Sequence, residues 1–370
     1  MKFIVNFCRI LVGSVFVFSG IVKTIDPKGT EYKLHEYFTL NDSILNIPIL
    51  AKYALYVAVF FVIFEVILGV LMILGKWKKF TLTAIFITII FFTFLTYYSA
   101  HYKVVTDCGC FGDFLKLEPW TSFYKDVVLL IFILLIIIFH KYYKPIFNSL
   151  ISNIILIISI ITSISIAYVG INHSPIVDFR PFAVGKSIKD GMNNGKEAKI
   201  IKFYTLKHTN SKKTKIMSDS IYMASNIWKD TLWVIDTTKT TEKIITPEKK
   251  ASIRGFAIYT DEGEETEKYL NIKCLALIVF PEDEYCTEGV QRMYNLIHDL
   301  DTNKIEILAL AAQKDCMQGI RTGTCDDKIL KAMSRSTPGL LLISNGIVLA
   351  KYHHNDVPNA KEVYKIFKIK

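Results

Sequence analysis

Charge is scarce in the first 170 residues of this 370-residue chain, which hold 14 Lys and Arg and 9 Asp and Glu. Residues 171–370 hold 30 and 25. Each part carries +5, so charge density separates them, not sign. That scarcity excludes a single soluble fold, and a chain that is 51% hydrophobic and 13% aromatic is not disordered. No stripe of Lys and Arg interleaved with aromatics occurs, so the net charge of +10 does not point to nucleic acid. The surplus Lys is assigned to loops and solvated faces. No small-x-small cleavage site follows the first apolar run. Lys23 and Asp26–Pro27 end it instead, and a retained helix is expected there rather than a signal peptide. The seven cysteines include no Cys-x-x-Cys. What is present is a membrane half followed by a soluble half.

Five runs are long and apolar enough to cross a bilayer: 3–22, 53–75, 80–100, 121–139 and 149–170. Lys76, Lys78 and Lys79 crowd the second-to-third connection, Lys141 and Lys144 the fourth-to-fifth, and Lys2 precedes the first. The positive-inside rule places these in the cytoplasm, with 23–52, 101–120 and everything after 171 outside. A multi-pass inner-membrane protein with a cytoplasmic N-terminus and a periplasmic C-terminal domain is expected. Segment 30–38 sets aromatics between charges, which suits a short helix at the lipid interface; an exposed loop is the other reading.

Arg9 and Glu65 interrupt otherwise apolar helices, where a charge is costly and is usually paired or functional. At about 1.5 Å per residue, Arg9 lies roughly 9 Å and Glu65 roughly 14 Å from the cytoplasmic side. The two are therefore expected to pair across the first two spans. A structural ion pair, a polar site for a quinone head group or a proton, and a lipid-side water defect at Glu65 are the three readings. Quinone is the only cofactor this leaves in view.

The connection between the third and fourth spans contains Cys108-Gly-Cys110, with Gly112 close behind. Glycine permits the tight backbone that brings nearby sulfurs together. A pair cycling between dithiol and disulfide, a structural disulfide and a metal site all remain open, the last weakened because only two cysteines cluster where structural zinc wants four ligands. No metal is expected. Six cysteines other than Cys8 fall on the outer face, where disulfides persist.

These residues carry a resemblance. Residues 1–140 resemble the DoxX/MauE family of four-helix redox-associated membrane proteins. The resemblance rests on Arg9-Ile-Leu-Val-Gly13, Phe18-Ser-Gly20-Ile-Val-Lys23 with Asp26-Pro27, Glu65 through Gly69 to Gly75, Cys108-Gly-Cys-Phe-Gly-Asp113, Pro119-Trp120 and Lys125-Asp126. It implies a redox role at the membrane, in a family associated with periplasmic disulfide formation during methylamine dehydrogenase maturation and, by name, with a thiosulfate–quinone oxidoreductase subunit.

Residues 141–171 provide the fifth helix, and 172–252 alternate in short runs such as Ile200–Thr205 and Leu232–Asp236, which reads as a spacer of antiparallel hairpins. From 253 to 370 the order is strand (Cys274–Phe280), helix (Thr287–Leu300), strand (Ile305–Ala311), helix (Asp326–Arg335), Thr337–Pro338, a hairpin about Asn345–Gly346, and a closing helix (Val357–Phe367). This order resembles a thioredoxin-like α/β domain. The resemblance makes Thr337–Pro338 its cis-proline step beside an active site, and Cys286, at a helix start, its nucleophile, a position that lowers a thiol pKa. Cys286-Thr-Glu-Gly289 lacks the resolving cysteine. Cys286 is thus a working thiol, half of a disulfide, or inert. Cys274 reads as a core residue, Cys316 and Cys325 as a candidate pair, and His353 and His354 as exposed.

Two functions follow. One is a membrane-anchored thiol–disulfide redox protein in which Cys108, Cys110 and Cys286 support disulfide formation or electron transfer for exported proteins or an envelope redox partner. The other is a non-catalytic, membrane-anchored binding module built on a degenerate thioredoxin-like domain.

Overall fold

The computed structural model describes residues 1–39, 46–102, 109–211, 213–246, 248–283, 286–313 and 316–369. Helix α1 (Lys2–Ile25) runs into α2 (Pro27–Thr39), followed by the single turn α3 (Pro48–Ala51). Then come α4 (Ala54–Leu74), α5 (Lys78–Tyr102), α6 (Pro119–Ile138) and α7 (Ser149–Asn172). Helices α1, α4, α5, α6 and α7 are each long and apolar enough to cross a membrane. Segment 30–38 falls inside α2, a helix that buries Tyr37 and Phe38 and hydrogen-bonds the Tyr37 hydroxyl to Ser99 Oγ at 2.7 Å.

Small residues set how α1 meets α4. A Cβ on Gly13 would come within 2.9 Å of the Gly69 carbonyl oxygen, and one on Gly20 within 2.9 Å of the Val66 amide nitrogen. The two backbones touch, the packing that glycine allows between helices in lipid. Around this seam Val12, Phe16, Leu68, Met72, Ile85, Ile89, Ile133 and Ile136 close a core shared by α1, α4, α5 and α6. Helix α7 leans on α4 through Leu156, and its Ile154, Ile157, Ile158, Ile161 and Ile164 remain exposed, as a lipid-facing stripe requires. Gly75 ends α4 in the left-handed conformation (φ 73°), its amide bonded to the Leu71 carbonyl at 3.0 Å.

Residues 187–256 form a compact unit of their own. It contains α8 (Ile188–Asn193), β1 (Lys199–His208), β2 (Thr214–Ser218), α9 (Asp219–Ala224), β3 (Trp233–Ile235) and β4 (Thr241–Thr246). Strand β1 pairs antiparallel with all three others.

The rest of the chain, with the helical bundle, belongs to the other unit. It adds β5 (Tyr259–Thr260), β6 (Gly263–Glu264), α10 (Thr266–Leu270), β7 (Leu275–Phe280), α11 (Thr287–Asp299), β8 (Glu306–Ala311), β9 (Thr322–Thr324), α12 (Asp327–Met333), β10 (Gly339–Ser344), β11 (Ile347–His353) and α13 (Ala360–Phe367). The sheet order is β11-β10-β7-β8-β9-β5-β6, with β7, β8 and β9 parallel and β10 and β11 antiparallel. Every side chain of β7 is buried, the signature of a central strand covered on both faces. Asn345 (φ 48°) and Gly346 (φ 76°) make the tight turn between β10 and β11. Met293, Leu296, Leu342 and Val363 lie in the core between the sheet and helices α11 and α13. The Thr337–Pro338 peptide is cis.

Candidate functional site

Cys108 lies outside the described residues; Cys110 is half-buried. The loop that carries it turns at Gly109 (φ 65°) and Gly112 (φ 51°), closed by the Gly112 amide on the Gly109 carbonyl at 3.0 Å. It is tied to α1 in two ways. Ser19 Oγ donates to the Cys110 carbonyl at 2.6 Å, and the Phe18 ring packs against those of Phe111 and Phe114 at 5.8 and 5.4 Å. Cys110 thus rests on the mouth of the helical bundle.

Beneath it is a cavity of about 550 Å³ whose lining combines apolar side chains such as Phe16, Ile89 and Leu129 with buried charges. Glu65 projects into it, and its partner is Lys23, not Arg9. A second pair, Lys125 Nζ and Asp126 Oδ1 at 2.8 Å, shares the cavity, with Thr96 Oγ1 donating to Asp126 Oδ2 at 3.2 Å. The Lys125 ammonium also sits 5.0 Å from the centre of the Phe111 ring, beside Cys110. Both pairs are internally neutral, the arrangement that makes ionisable groups tolerable away from water.

The expected Arg9–Glu65 pair does not form. Arg9 Nη1 donates to the Lys144 carbonyl at 2.6 Å, and its guanidinium lies 5.4 Å from the centre of the Tyr143 ring. The reason is register. The contacts of Gly13 with Gly69 and of Gly20 with Val66 bring Arg9 level with Gly75, where α4 has already ended. Depth counted from the start of each run ignores this offset. Lys23, which reads in the sequence as a helix terminator, reaches back down the bundle instead.

Across the sheet, Cys286 precedes α11 and is a half-buried free thiol. Its amide donates to the Thr337 carbonyl at 3.1 Å, so Cys286, Thr337 and Pro338 are adjacent. Gly289 lets the first turn of α11 approach: a Cβ there would lie 3.2 Å from Pro338 Cδ and 2.8 Å from His354 Cβ. Two readings of the histidines change. His353 is buried, and His354 is half-buried with Nδ1 at 2.9 Å from Ser336 Oγ, because β11 turns inward onto the segment before Pro338. Cys274 is half-buried at the edge of the core rather than within it. Cys325 is a buried free thiol, pushed up to about 11 by burial, and is not bonded to Cys316.

Residues 1–139 match the family model described as methylamine utilisation protein MauE. No curated protein and no solved structure matches the chain. The N-terminal region is a MauE-like membrane domain. Residues beyond 139 lie outside that match.

Among the links between this domain and the sheet, Arg335 is the most deeply engaged. Arg335, two positions before Thr337, is half-buried with its side chain turned inward, and its Nε donates to both carboxylate oxygens of Asp26 at 2.9 Å. Its Nη2 donates to Asp26 Oδ2 at 2.7 Å and to Asp113 Oδ2 at 2.8 Å, while Nη1 holds the Lys331 carbonyl at 2.6 Å. Asp113 is three residues from Cys110. Burial pushes the Asp26 carboxyl up, but the guanidinium of Arg335, with Arg180 beyond it, more than reverses this and holds it below the usual carboxylate range. Around this centre Lys28 meets Glu282 at 3.3 Å, and Lys331 lies 5.3 Å from the centre of the Tyr32 ring. Nothing in the sequence around Arg335 singles it out; the acids it meets were visible only as Asp26-Pro27 and the last residue of the Cys108–Asp113 stretch.

Proposed function

We propose that this is a membrane-anchored thiol–disulfide redox protein in which the Cys108/Cys110 loop of the MauE-like domain exchanges with Cys286 of a thioredoxin-like domain. Both would lie on the periplasmic face of the inner membrane, the side opposite the Lys76–Lys79 and Lys141–Lys144 connections, and would serve exported proteins. The observation that carries this reading is the bond from Arg335 to Asp113. It ties the segment beside Cys286 and Thr337 to the loop that holds Cys110. The run β7-α11-β8, followed by α12, the β10–β11 hairpin and α13, supports a thioredoxin-like assignment. In the exchange a thiolate attacks one sulfur of a disulfide, a new S–S bond forms, and the other sulfur leaves as a thiolate. Electrons are conserved: the Cys286 thiolate opens a Cys108–Cys110 disulfide, one loop sulfur enters the mixed disulfide and the other leaves as a thiolate.

Cys108→Ala leaves Cys110 without the neighbour that would displace a mixed disulfide. In this variant, with a protease site placed between residues 209 and 213 and oxidised glutathione supplied as the disulfide (one thiol takes up a glutathionyl group and the other displaces glutathione thiolate), the two halves should stay linked on a denaturing non-reducing gel and separate on reduction. Loss of the link on Cys286→Ala would assign it. The second reading, a binding module, is favoured by Cys286-Thr-Glu-Gly289, which has no resolving cysteine. Halves that separate under both conditions, while the Cys108/Cys110 pair of the unsubstituted protein still cycles, would establish that reading instead.

A further inference from the structure

The membrane bundle and the C-terminal sheet have separate hydrophobic cores with no residue in common. Among the described residues, polar contacts join them at two places, with Lys28–Glu282 and Lys328–Glu36 grouped around the second. One is the end of α7, where His173 Nδ1 lies 2.7 Å from Asp356 Oδ1 and Asn355 Nδ2 donates to the Asn172 carbonyl at 2.9 Å. This is a hinge by connectivity, since the chain leaves the membrane there. The other place is Arg335, which is 309 residues from Asp26 in sequence and has no covalent reason to be near it.

An Arg between two carboxylates differs in kind from the ion pairs around it. The guanidinium is flat and forked, and here Nε and Nη2 grip Asp26 side-on while Nη2 also reaches Asp113. Its side chain is 8% exposed, against 83% for that of Lys328, which faces Glu36 at 3.7 Å on the rim. Desolvated, forked pairs fix geometry, whereas rim pairs contribute little. Asp26 is itself held, because its Oδ1 accepts the Gly29 amide at 3.0 Å at the start of α2. The acceptor is therefore built into the membrane domain before Arg335 arrives.

We propose that Asp26 and Asp113 form an acidic socket on the MauE-like domain for Arg335, and that this bond is a reversible catch holding the Cys286–Pro338 edge against the loop that carries Gly109 and Cys110. Arg335 is thus a positioning residue. It touches no sulfur, and it acts by setting how often Cys286 meets the loop. With the catch closed, the edge carrying Cys286 and Pro338 faces the protein's own membrane domain. With it open, that edge swings about the end of α7 and is free for an external client. The inference rests on the exchange between Cys286 and the loop proposed above for its consequence, though not for the bond itself.

Two measurements on the full-length protein in membranes or nanodiscs test it. In the Cys108→Ala background, with oxidised glutathione supplied as the disulfide, Arg335→Gln should slow formation of the Cys110–Cys286 disulfide by roughly tenfold, as effective concentration falls when a tether loses its second anchor. Hydrogen exchange over 327–338 should rise in the same variant, and raised salt should mimic it in the parent. Asp113→Arg combined with Arg335→Asp rebuilds an acid–base–acid triad around Asp26 and should restore both readouts, which a merely structural role for Arg335 would not permit. Asp113→Asn, a milder change, should give an intermediate slowing if Arg335→Gln proves unstable. A trapping rate within twofold of the parent, or unchanged exchange over 327–338, would overturn the catch. If the parent forms no Cys110–Cys286 disulfide at all, the relay fails, and the exchange measurement alone still decides whether the socket holds the domain.

Discussion

The two ends of the helical bundle handle buried charge in opposite ways. At the Arg9 end a single cation is absorbed by a carbonyl of the connecting segment, Lys144, and by the Tyr143 ring. No acid takes part, so the site is finished when the chain folds. At the other end Lys23–Glu65, Lys125–Asp126 and Asp26–Arg335–Asp113 gather around the Cys110 loop. Every one of these charges depends on a partner from another element or, for Lys125 and Asp126, on neighbours around a cavity. Charges neutralised by backbone at a helix end secure packing. Charges neutralised by one another around a cavity and a cysteine are retained at a cost that packing alone does not require.

The largest effect expected from this contrast is at Glu65. Glu65→Leu strands Lys23 in the bundle, and removing one partner of a buried pair costs about 3–5 kcal/mol. Folded protein recovered from membranes should fall sharply. Lys23→Leu with Glu65→Leu should recover most of it, since two apolar residues replace the pair. Arg9→Leu with Glu65→Leu should not, because Lys23 stays unpaired. Recovery by the Arg9 combination would overturn the assignment of partners.

Arg9 itself should matter less. Its Nε is buried without a partner, so Arg9→Leu gives up one charged hydrogen bond while removing an incompletely satisfied cation. A loss of about 1 kcal/mol is expected, below the range for a typical charge-assisted bond, because of that compensation. Thermal unfolding in detergent, compared side by side with Glu65→Leu, measures the difference. Equal losses at the two positions would erase the contrast between the ends.

This contrast also marks what the sequence could tell. The five spans were legible because run length and missing charge are local properties, as were the Leu275–Phe280 core strand and the Asn345–Gly346 turn. The loop holding Cys110 stood out through its two glycines. The partner of Glu65 did not, because it is fixed by the offset between two helices, and that offset depends on which backbones touch at Gly13 and Gly69. Depth from the end of an apolar run carries no such information. Arg335 was illegible for a related reason. It is one of 44 Lys and Arg, and its role is defined by acids in two other segments, one of them 309 residues away. His353 and His354 misled because a strand end is usually wet, whereas here β11 turns onto Ser336.

The smallest effect expected is one of pH, and it bears on the edge that carries Cys286. Burial, and then the neighbouring His354, push His353 down to about 4. His354 is also lowered, by burial and by the Arg292 guanidinium. The groups facing the pair are His173 at the end of α7, Asp356 just after β11, Arg292 from α11 and Ser336 from the segment before Pro338. Both imidazoles are neutral in the folded protein near pH 7, and His353 Nδ1 then accepts the Asn355 amide at 3.1 Å. The unfolded chain takes up these protons near pH 6.5, and the folded chain does so only at lower pH, near 4 for His353. Between those values the unfolded state binds more protons, so stability is full above about pH 6.5 and declines as pH falls towards 4. The decline should be reported by hydrogen exchange over 336–338 and 353–356 before the helical bundle loosens, since the pair meets the bundle at its rim, through His173 at the end of α7. His353→Asn keeps an acceptor for the Asn355 amide but cannot titrate, and should flatten the slope in part, with His354→Asn added to flatten it further. An unchanged slope in the double variant would overturn the assignment of this acid sensitivity to His353 and His354.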